Sequence, residues 1–378
     1  MKRFSWVLFI LILYLINSTI FSCSSSEDNT NPVAGEDSTL DTVNLNMQDL
    51  DNVKKKELYV VLTDYSTGLL FKIIEDTSLS GFSYGIKLSG DPIGYRIDSL
   101  LIILNRNMES PATLMKFKIK GDTLSEIEEL SLSNYNNPYD LDIYNNTLII
   151  PMYNKGEIAF YRMDDMSLMD TISLVYNFNP DPDHGFVYGD YYYITLQNLN
   201  DTTWVSEKPS EILKIDLKTL KVVDTIQLPI NNPVSDFIEY DNKYYFICVG
   251  SYLLGGDGGI LRFDPQTDSV EIVYKDDENN SINVKFLDID AEGNIYTIVG
   301  NWTSTGFSGR IAKISDGKLN VITSLDYSIT SLKLFDSYII TGGTDSEGNS
   351  GIYIFDLNGI LKAYIKTELP VYNYVKNL

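Results

Sequence analysis

The 378-residue chain carries 29 Lys and Arg against 52 Asp and Glu, a net charge of −23. That excess repels nucleic acid and anionic lipid, and no basic patch offsets it, so a nucleic-acid partner is excluded. A single histidine, His184, excludes a multi-histidine metal site, and two cysteines, Cys23 and Cys248, are too few for a disulfide framework.

Met1-Lys2-Arg3 is a basic start, and Val7 to Ile16 is unbroken apolar sequence. About ten such residues suit a signal-peptide core and fall short of the roughly 17–25 that a spanning helix needs. Small and polar residues follow, then Cys23. The stretch Ile20-Phe21-Ser22-Cys23 resembles the lipobox of a bacterial lipoprotein signal. The resemblance implies that residues 1–22 are removed and that Cys23 is acylated. Two or three acyl chains make a stable anchor, because each buried methylene contributes about 0.8 kcal/mol. Glu27 and Asp28 resemble the acidic export signal of Bacteroidetes surface lipoproteins, which implies display on the outer membrane at the cell surface. Residues 23–56 are rich in Ser, Asn, Asp and Glu and read as a flexible tether that holds the body roughly 30 Å off the membrane. With Cys23 acylated, Cys248 in the run KYYFICVG is expected to be a small buried hydrophobe.

Residues 57–378 repeat one pattern. Apolar runs rich in Tyr, Ile and Val recur: ELYVVLTD (57–64), SLLIILNR (99–106), TLIIPMYN (147–154), YYYITLQN (191–198), KYYFICVG (243–250), NIYTIVGN (294–301) and SYIITGGT (337–344). Each is followed by a strand pair, beginning near Gly68, Ala112, Gly156, Glu211, Gly258, Gly309 and Gly351. A period in the forties to fifties with several strands per repeat predicts a β-propeller. Six inner strands precede these runs: 92–97, 138–145, 183–190, 233–242, 283–290 and 329–336. The first repeat has no inner strand before Glu57. LPVYNYVKN (369–377) matches the others in its opening proline and aromatic spacing. The expected fold is therefore all-β, a seven-bladed propeller of four-stranded antiparallel blades, closed by the C-terminal strand. Closure leaves no long exposed inner edge.

The set TDYSTG (63–68), GDP (90–92), NNPYD (136–140), ITLQNL (194–199) and GGDGGI (255–260) resembles the YVTN or YncE-like seven-bladed propellers, and among them tethered bacterial lipoproteins. The resemblance implies fold and location more than chemistry. Some surface propeller lipoproteins of gut bacteria capture cobamides for an outer-membrane transporter, and others handle glycans.

In such a fold the loops after each second strand share a face with the crossovers between repeats. Those loops are long here (198–210, 251–258, 301–309, 344–351), whereas the turns on the opposite side are tight (Ile97-Asp98, Asn145-Asn146, Gly189-Asp190, Asp241-Asn242). Long loops on a rigid scaffold are where binding concentrates. Trp204 and Trp302 fall in them, and the aromatic, amide and acidic residues Tyr135, Asn137, Tyr176, Asp181, Asp183, His184 and Tyr252 complete the candidate ligand-binding set. Such a surface suits a neutral polar ligand such as a sugar, and a monomer. His184 reads first as a surface turn residue, and second as a lone base or ligand beside Asp181 and Asp183. No catalytic motif survives inspection. Gly81-Phe82-Ser83-Tyr84-Gly85 matches G-x-S-x-G but has no helix after it. Asp288-Ile289-Asp290-Ala291-Glu292-Gly293 falls at a tight turn and lacks the rest of an EF-hand. GGDGG lacks the Lys-Ser/Thr of a phosphate loop. The first functional expectation is a non-enzymatic binding or partner-docking module. The second is a metal-assisted hydrolase or lactonase with calcium as cofactor in the central channel, for which converging acids would speak.

Overall fold

Alternation explains why the apolar runs are unbroken. In a strand, successive side chains point to opposite faces. A strand whose sheet is covered on both faces is therefore apolar at every position, and Tyr59-Val60-Val61-Leu62-Thr63 is buried throughout. The computed structural model describes residues 59–63, 68–73, 79–81, 88, 91–106, 111–120, 123–132, 137–200, 202–251, 256–276, 283–303, 306–323, 327–335 and 337–378. The leader, Cys23 and the tether lie outside them.

The described strands form antiparallel sheets of one design. Four sheets are four-stranded; a five-stranded one starts at Pro92–Ile97. An eight-stranded sheet is two four-stranded units, beginning at Asn283–Ile289 and Tyr327–Phe335. Among the described residues, the strand pairing between these two is limited to Ser308 with Ser328 and Gly309 with Tyr327. Units are numbered below in the order of their second strands, starting with Tyr59–Thr63.

Each second strand divides its side chains between two neighbours. Leu101 and Ile103 pack back on Tyr59 and Val61 of the first unit, while Ile102 and Leu104 pack forward on Leu148 and Ile150 of the third. Ile149 packs forward on Tyr192 and Ile194, and Tyr193 packs forward on Tyr244 and Phe246. Tyr245 and Ile247 meet Val284 and Val299. Ile298 meets Ile339 and Tyr353. Every unit thus packs on the next. The seventh reaches the first through Ser331 and Thr330, whose hydroxyls donate to the Val371 carbonyl at 2.8 and 2.6 Å. A chain of units whose last packs on its first is a ring.

The C-terminal segment closes it, as its sequence predicts. Val371–Tyr374 is the inner strand of the first unit, pairing Val60 with Tyr374 and Val61 with Asn373. The chain then does something the sequence did not suggest. Lys376–Asn377 crosses to the second unit and pairs in parallel with Tyr95 and Arg96. Gly94 permits the crossing: a Cβ there would lie 2.7 Å from Val375 Cγ2.

The tight turns follow the predicted chemistry. Asn145, Gly189, Asp241 and Asn242 take positive φ, as two-residue hairpins require. The turn after Pro92–Ile97 is Asp98-Ser99, one residue later than Ile97-Asp98.

Most inner strands are also bulged near their start. Register slips between Pro182 and Gly185, Lys285 and Leu287, and Ile329 and Ser331. It slips opposite Val61/Leu62 in the first unit. In the third and fifth units an isolated bridge at Pro138 or Pro233 precedes the ladder, which resumes at Asp142 or Ile238. The interruption shortens the inner strands expected over 138–145 and 233–242 to Asp142–Tyr144 and Ile238–Tyr240. Only the second unit runs evenly from Pro92 to Ile97 among the described strands. A bulge re-aims side chains and ends pairing locally, and these bulges aim the polar residues described next.

Candidate functional site

A charged cluster forms where the inner strands begin. Lys376, brought in by the crossing C-terminal segment, donates to Asp140 Oδ1 at 2.9 Å and also to Asp236. His184 Nε2 lies 3.0 Å from Asp236 Oδ1, and its Nδ1 is paired with Asp183. The Tyr95 hydroxyl donates to Asp140 Oδ1 at 2.9 Å, and the Gly185 amide donates to Oδ2 at 3.2 Å. Four units, the second to the fifth, contribute to this single group. Gln197, just past a second strand, extends it: Nε2 donates to Asp183 Oδ2 at 2.7 Å, and Oε1 accepts from Tyr153 at 2.9 Å. Tyr153 stacks on Tyr139 at 4.7 Å between centroids, and the Arg106 guanidinium, paired with Asp91, lies 4.7 Å over the Tyr139 ring.

Asp140 and Asp183 are 3 % and 0 % exposed, while Lys376 and Asp236 keep 26 % and 39 %. Asp236 lies in the interruption between the Pro233 bridge and the inner strand Ile238–Tyr240, and it and Lys376 form the accessible edge of the cluster. Because the cluster uses the starts of inner strands and the ends of second strands, it lies toward the face that carries the long loops.

The electrostatics make this a fixed salt network. Burial disfavours a charged His184, but the Asp183 and Asp236 carboxylates outweigh it and lift its pKa to about 10. Burial likewise works against an ionised Asp236, and Lys376 and His184 outweigh it, holding that carboxylate below its ordinary range. Asp142 is raised well above the ordinary range, by burial first and then by Asp140. Across the ring, burial pulls Lys285 down to about 8; its ammonium lies 4.9 Å from the Phe286 ring.

A pH dependence follows. The folded pKa of His184 lies above its ordinary value of 6.5. Its stabilisation is therefore complete below about pH 6.5 and is lost as pH rises through about 10. Melting temperature should fall more steeply from pH 7 to 10 in the wild type than in His184→Gln. Parallel curves for the two proteins would refute the pairing.

The sequence-derived residues distribute unevenly. Asp183 and His184 are in the cluster. His184 is no surface turn residue: the bulge turns it inward, and only 12 % of its side chain is exposed. Asp181 is a structural post whose Oδ2 accepts the Leu199 amide at 3.0 Å, pinning the 198–210 loop. Asn137 supports the site through its backbone, its carbonyl accepting the Tyr153 amide at 3.1 Å. Trp204 is half-buried in its own loop, with a left-handed φ of 57° and its amide bonded to the Asn200 carbonyl at 3.0 Å. Tyr176 is 91 % exposed. Trp302 ends a strand that pairs with Gly306–Ser315, so the expected 301–309 loop is mostly hairpin; Trp, Thr and Phe favour strand there. Tyr135, Tyr252 and Phe82-Ser83-Tyr84-Gly85 lie outside the described residues. Asp290 holds its own turn by accepting the Glu292 and Asn294 amides, and Asp288 accepts the Leu334 amide at 2.8 Å. Cys248 is fully buried in an apolar cluster, and burial pushes its thiol up.

Asp140, Asp236, Lys376, Gln197 and Arg106 were not singled out by sequence. One signal existed: an acid recurs one to three residues after the inner-strand proline, at Asp140, Asp183 and Asp236.

No family model and no curated protein matches the chain. Solved structures do. A Lactobacillus plantarum protein is similar over 85% of this chain and 100% of its own, at 11% identity and a TM-score of 0.59. A candidate 6-phosphogluconolactonase from Bacteroides fragilis matches at 15% identity and 0.57, covering 85% of this chain and 98% of that one. The β-propeller domain of the Trilobed protease from Pyrococcus furiosus matches at 11% and 0.51, over 83% of this chain and 94% of that one. The chain is a β-propeller. At such identities the likeness concerns the fold alone. The structure of the protease domain is described as revealing an open velcro topology; here the C-terminal strand Val371–Tyr374 pairs with Tyr59–Thr63.

Proposed function

We propose that this propeller is a seven-bladed, YVTN/YncE-like lipoprotein, anchored through Cys23 on the cell surface, that binds a small polar ligand without turning it over. The reading rests on one observation above all: Asp236, just before the inner strand Ile238–Tyr240, keeps 39 % of its side chain accessible beside Lys376. A preorganised donor and acceptor at the solvent-accessible edge of the cluster, with Tyr139 and Tyr153 nearby, suit a polyhydroxylated ligand. Acids do converge on the axis, the feature expected of the hydrolase reading. Asp140, Asp183 and Asp236, however, are already paired with Lys376 or His184. A histidine whose pKa is about 10 is an imidazolium at neutral pH and cannot serve as a general base.

The test is tryptophan fluorescence and calorimetry against panels of glycans, cobamides and metal chelates. One panel member should bind, Asp236→Asn should weaken it at least tenfold, and Trp204→Ala should abolish the fluorescence response. A wild type that answers to no panel member, or hydrolysis of a lactone panel that Asp236→Asn abolishes, overturns the reading. Labelling with a fatty-acid analogue tests the anchor separately: label must be absent from Cys23→Ala.

A further inference from the structure

A second polar feature lies away from the axis, at the seam between the fifth and sixth units. Asp276 follows the outer strand Ser269–Lys275 and is 5 % exposed. Both of its carboxylate oxygens are buried, and among the described residues neither accepts a hydrogen bond of good geometry. An unmatched buried carboxylate is among the costlier arrangements a fold can hold. The chain nonetheless presses it against the loop before Gly259–Asp264. The Asp276 amide donates to the Gly258 carbonyl at 2.9 Å. A Cβ on Gly258 would lie 2.9 Å from Asp276 Oδ2 and 2.6 Å from the Cys248 carbonyl oxygen, so glycine is what lets the carboxylate approach.

The surroundings are oxygen-rich and acidic. Asp257 stands in the same loop, with Oδ1 accepting the Ser251 amide at 2.7 Å. Asn283 Oδ1, at the start of the sixth unit, accepts the Gly256 amide at 3.2 Å. Burial first, then the negative Asp257, raises the Asp276 pKa to about 7, and the Val284 amide opposes them. Among the described residues no cationic side chain contributes to these influences, unlike at Asp236, which has Lys376 and His184.

We propose that Asp276 and Asp257 bind a hard divalent cation, of which Ca²⁺ is the natural candidate, and so fasten the loop of the fifth unit to the entry of the sixth. Ca²⁺ takes oxygen ligands from carboxylates, carbonyls and water. Bound there, it supplies the positive charge that Asp276 lacks. The site is separate from the axial cluster, and its failure would leave the ligand-binding reading intact.

The full chain, stripped with EDTA, would be titrated with CaCl₂ at pH 7.5 by calorimetry and by thermal melting. One Ca²⁺ is expected to bind and to raise the melting temperature by several degrees, because a ligand of the native state stabilises it. Asp276→Asn should abolish both signals, while its calcium-free melting point equals or exceeds that of the wild type. Asp257→Asn should weaken binding at least tenfold, which keeps the test decisive if Asp276→Asn misfolds. Asp236→Asn should bind Ca²⁺ as the wild type does. A wild type with neither heat nor melting shift at millimolar Ca²⁺ overturns the proposal. So does a shift that survives Asp276→Asn, or one lost only in Asp236→Asn.

Discussion

Removing residues 370–378 is expected to abolish cooperative folding. The truncation deletes Val371, Tyr374 and Val375, which are 0 %, 8 % and 9 % exposed. Burying three such side chains contributes about 5–9 kcal/mol, at roughly 1.5–3 each. It also deletes the pairing to Tyr59–Thr63 and the bonds Thr63 N–H to Pro370 O and Val375 N–H to Tyr59 O, both 3.0 Å. A domain is stable by only about 5–15 kcal/mol in total, so little or nothing would remain. The strand Tyr59–Thr63 would become an exposed apolar edge, an aggregation template. Calorimetry and size-exclusion chromatography decide it. A truncated chain that stays monomeric and melts in one transition near the wild-type temperature would make the C-terminal segment a dispensable tail.

Lys376→Met is expected to destabilise the ring by about 3–5 kcal/mol, the usual effect of removing one partner from a buried ion pair. Asp140, 3 % exposed, would lose its cationic partner and be left with the Tyr95 hydroxyl and the Gly185 amide. Asp236 would retain His184. The measurement is chemical denaturation of Lys376→Met, Asp140→Asn and the double variant. The two changes should be strongly non-additive, with the double variant recovering part of the loss, because the second change removes the carboxylate that the first left unpaired. Additive effects would mean that Lys376 packs through its aliphatic stem and not through its charge.

These two outcomes are linked, because one segment closes the ring and supplies the cation of its axial cluster. Only a folded chain brings Lys376 to Asp140, 236 positions earlier.

What the sequence determined by itself was the repeat and its closure. The run Tyr59-Val60-Val61-Leu62 is unbroken apolar sequence because both faces of a second strand are covered, and that property is written locally. Asn145, Gly189 and Asp241-Asn242 mark hairpin turns because few other residues accept positive φ. LPVYNYVKN announced itself by its likeness to the other inner strands. Tertiary structure decided the site. Nothing near Pro180-Asp181-Pro182-Asp183-His184 distinguishes a solvated turn from the start of a bulged inner strand, so its local sequence alone places His184 at the surface. The bulge turns it inward, and ring closure sets Asp236 and Lys376 around it. Trp302 looked like a loop residue because the polar run around it resembles a loop, yet its hairpin partner extends to Gly306. Local propensity specifies strands and turns within a few residues. A charge network assembled from four units depends on where the ring places residues far apart in the chain, and no local pattern carries that information.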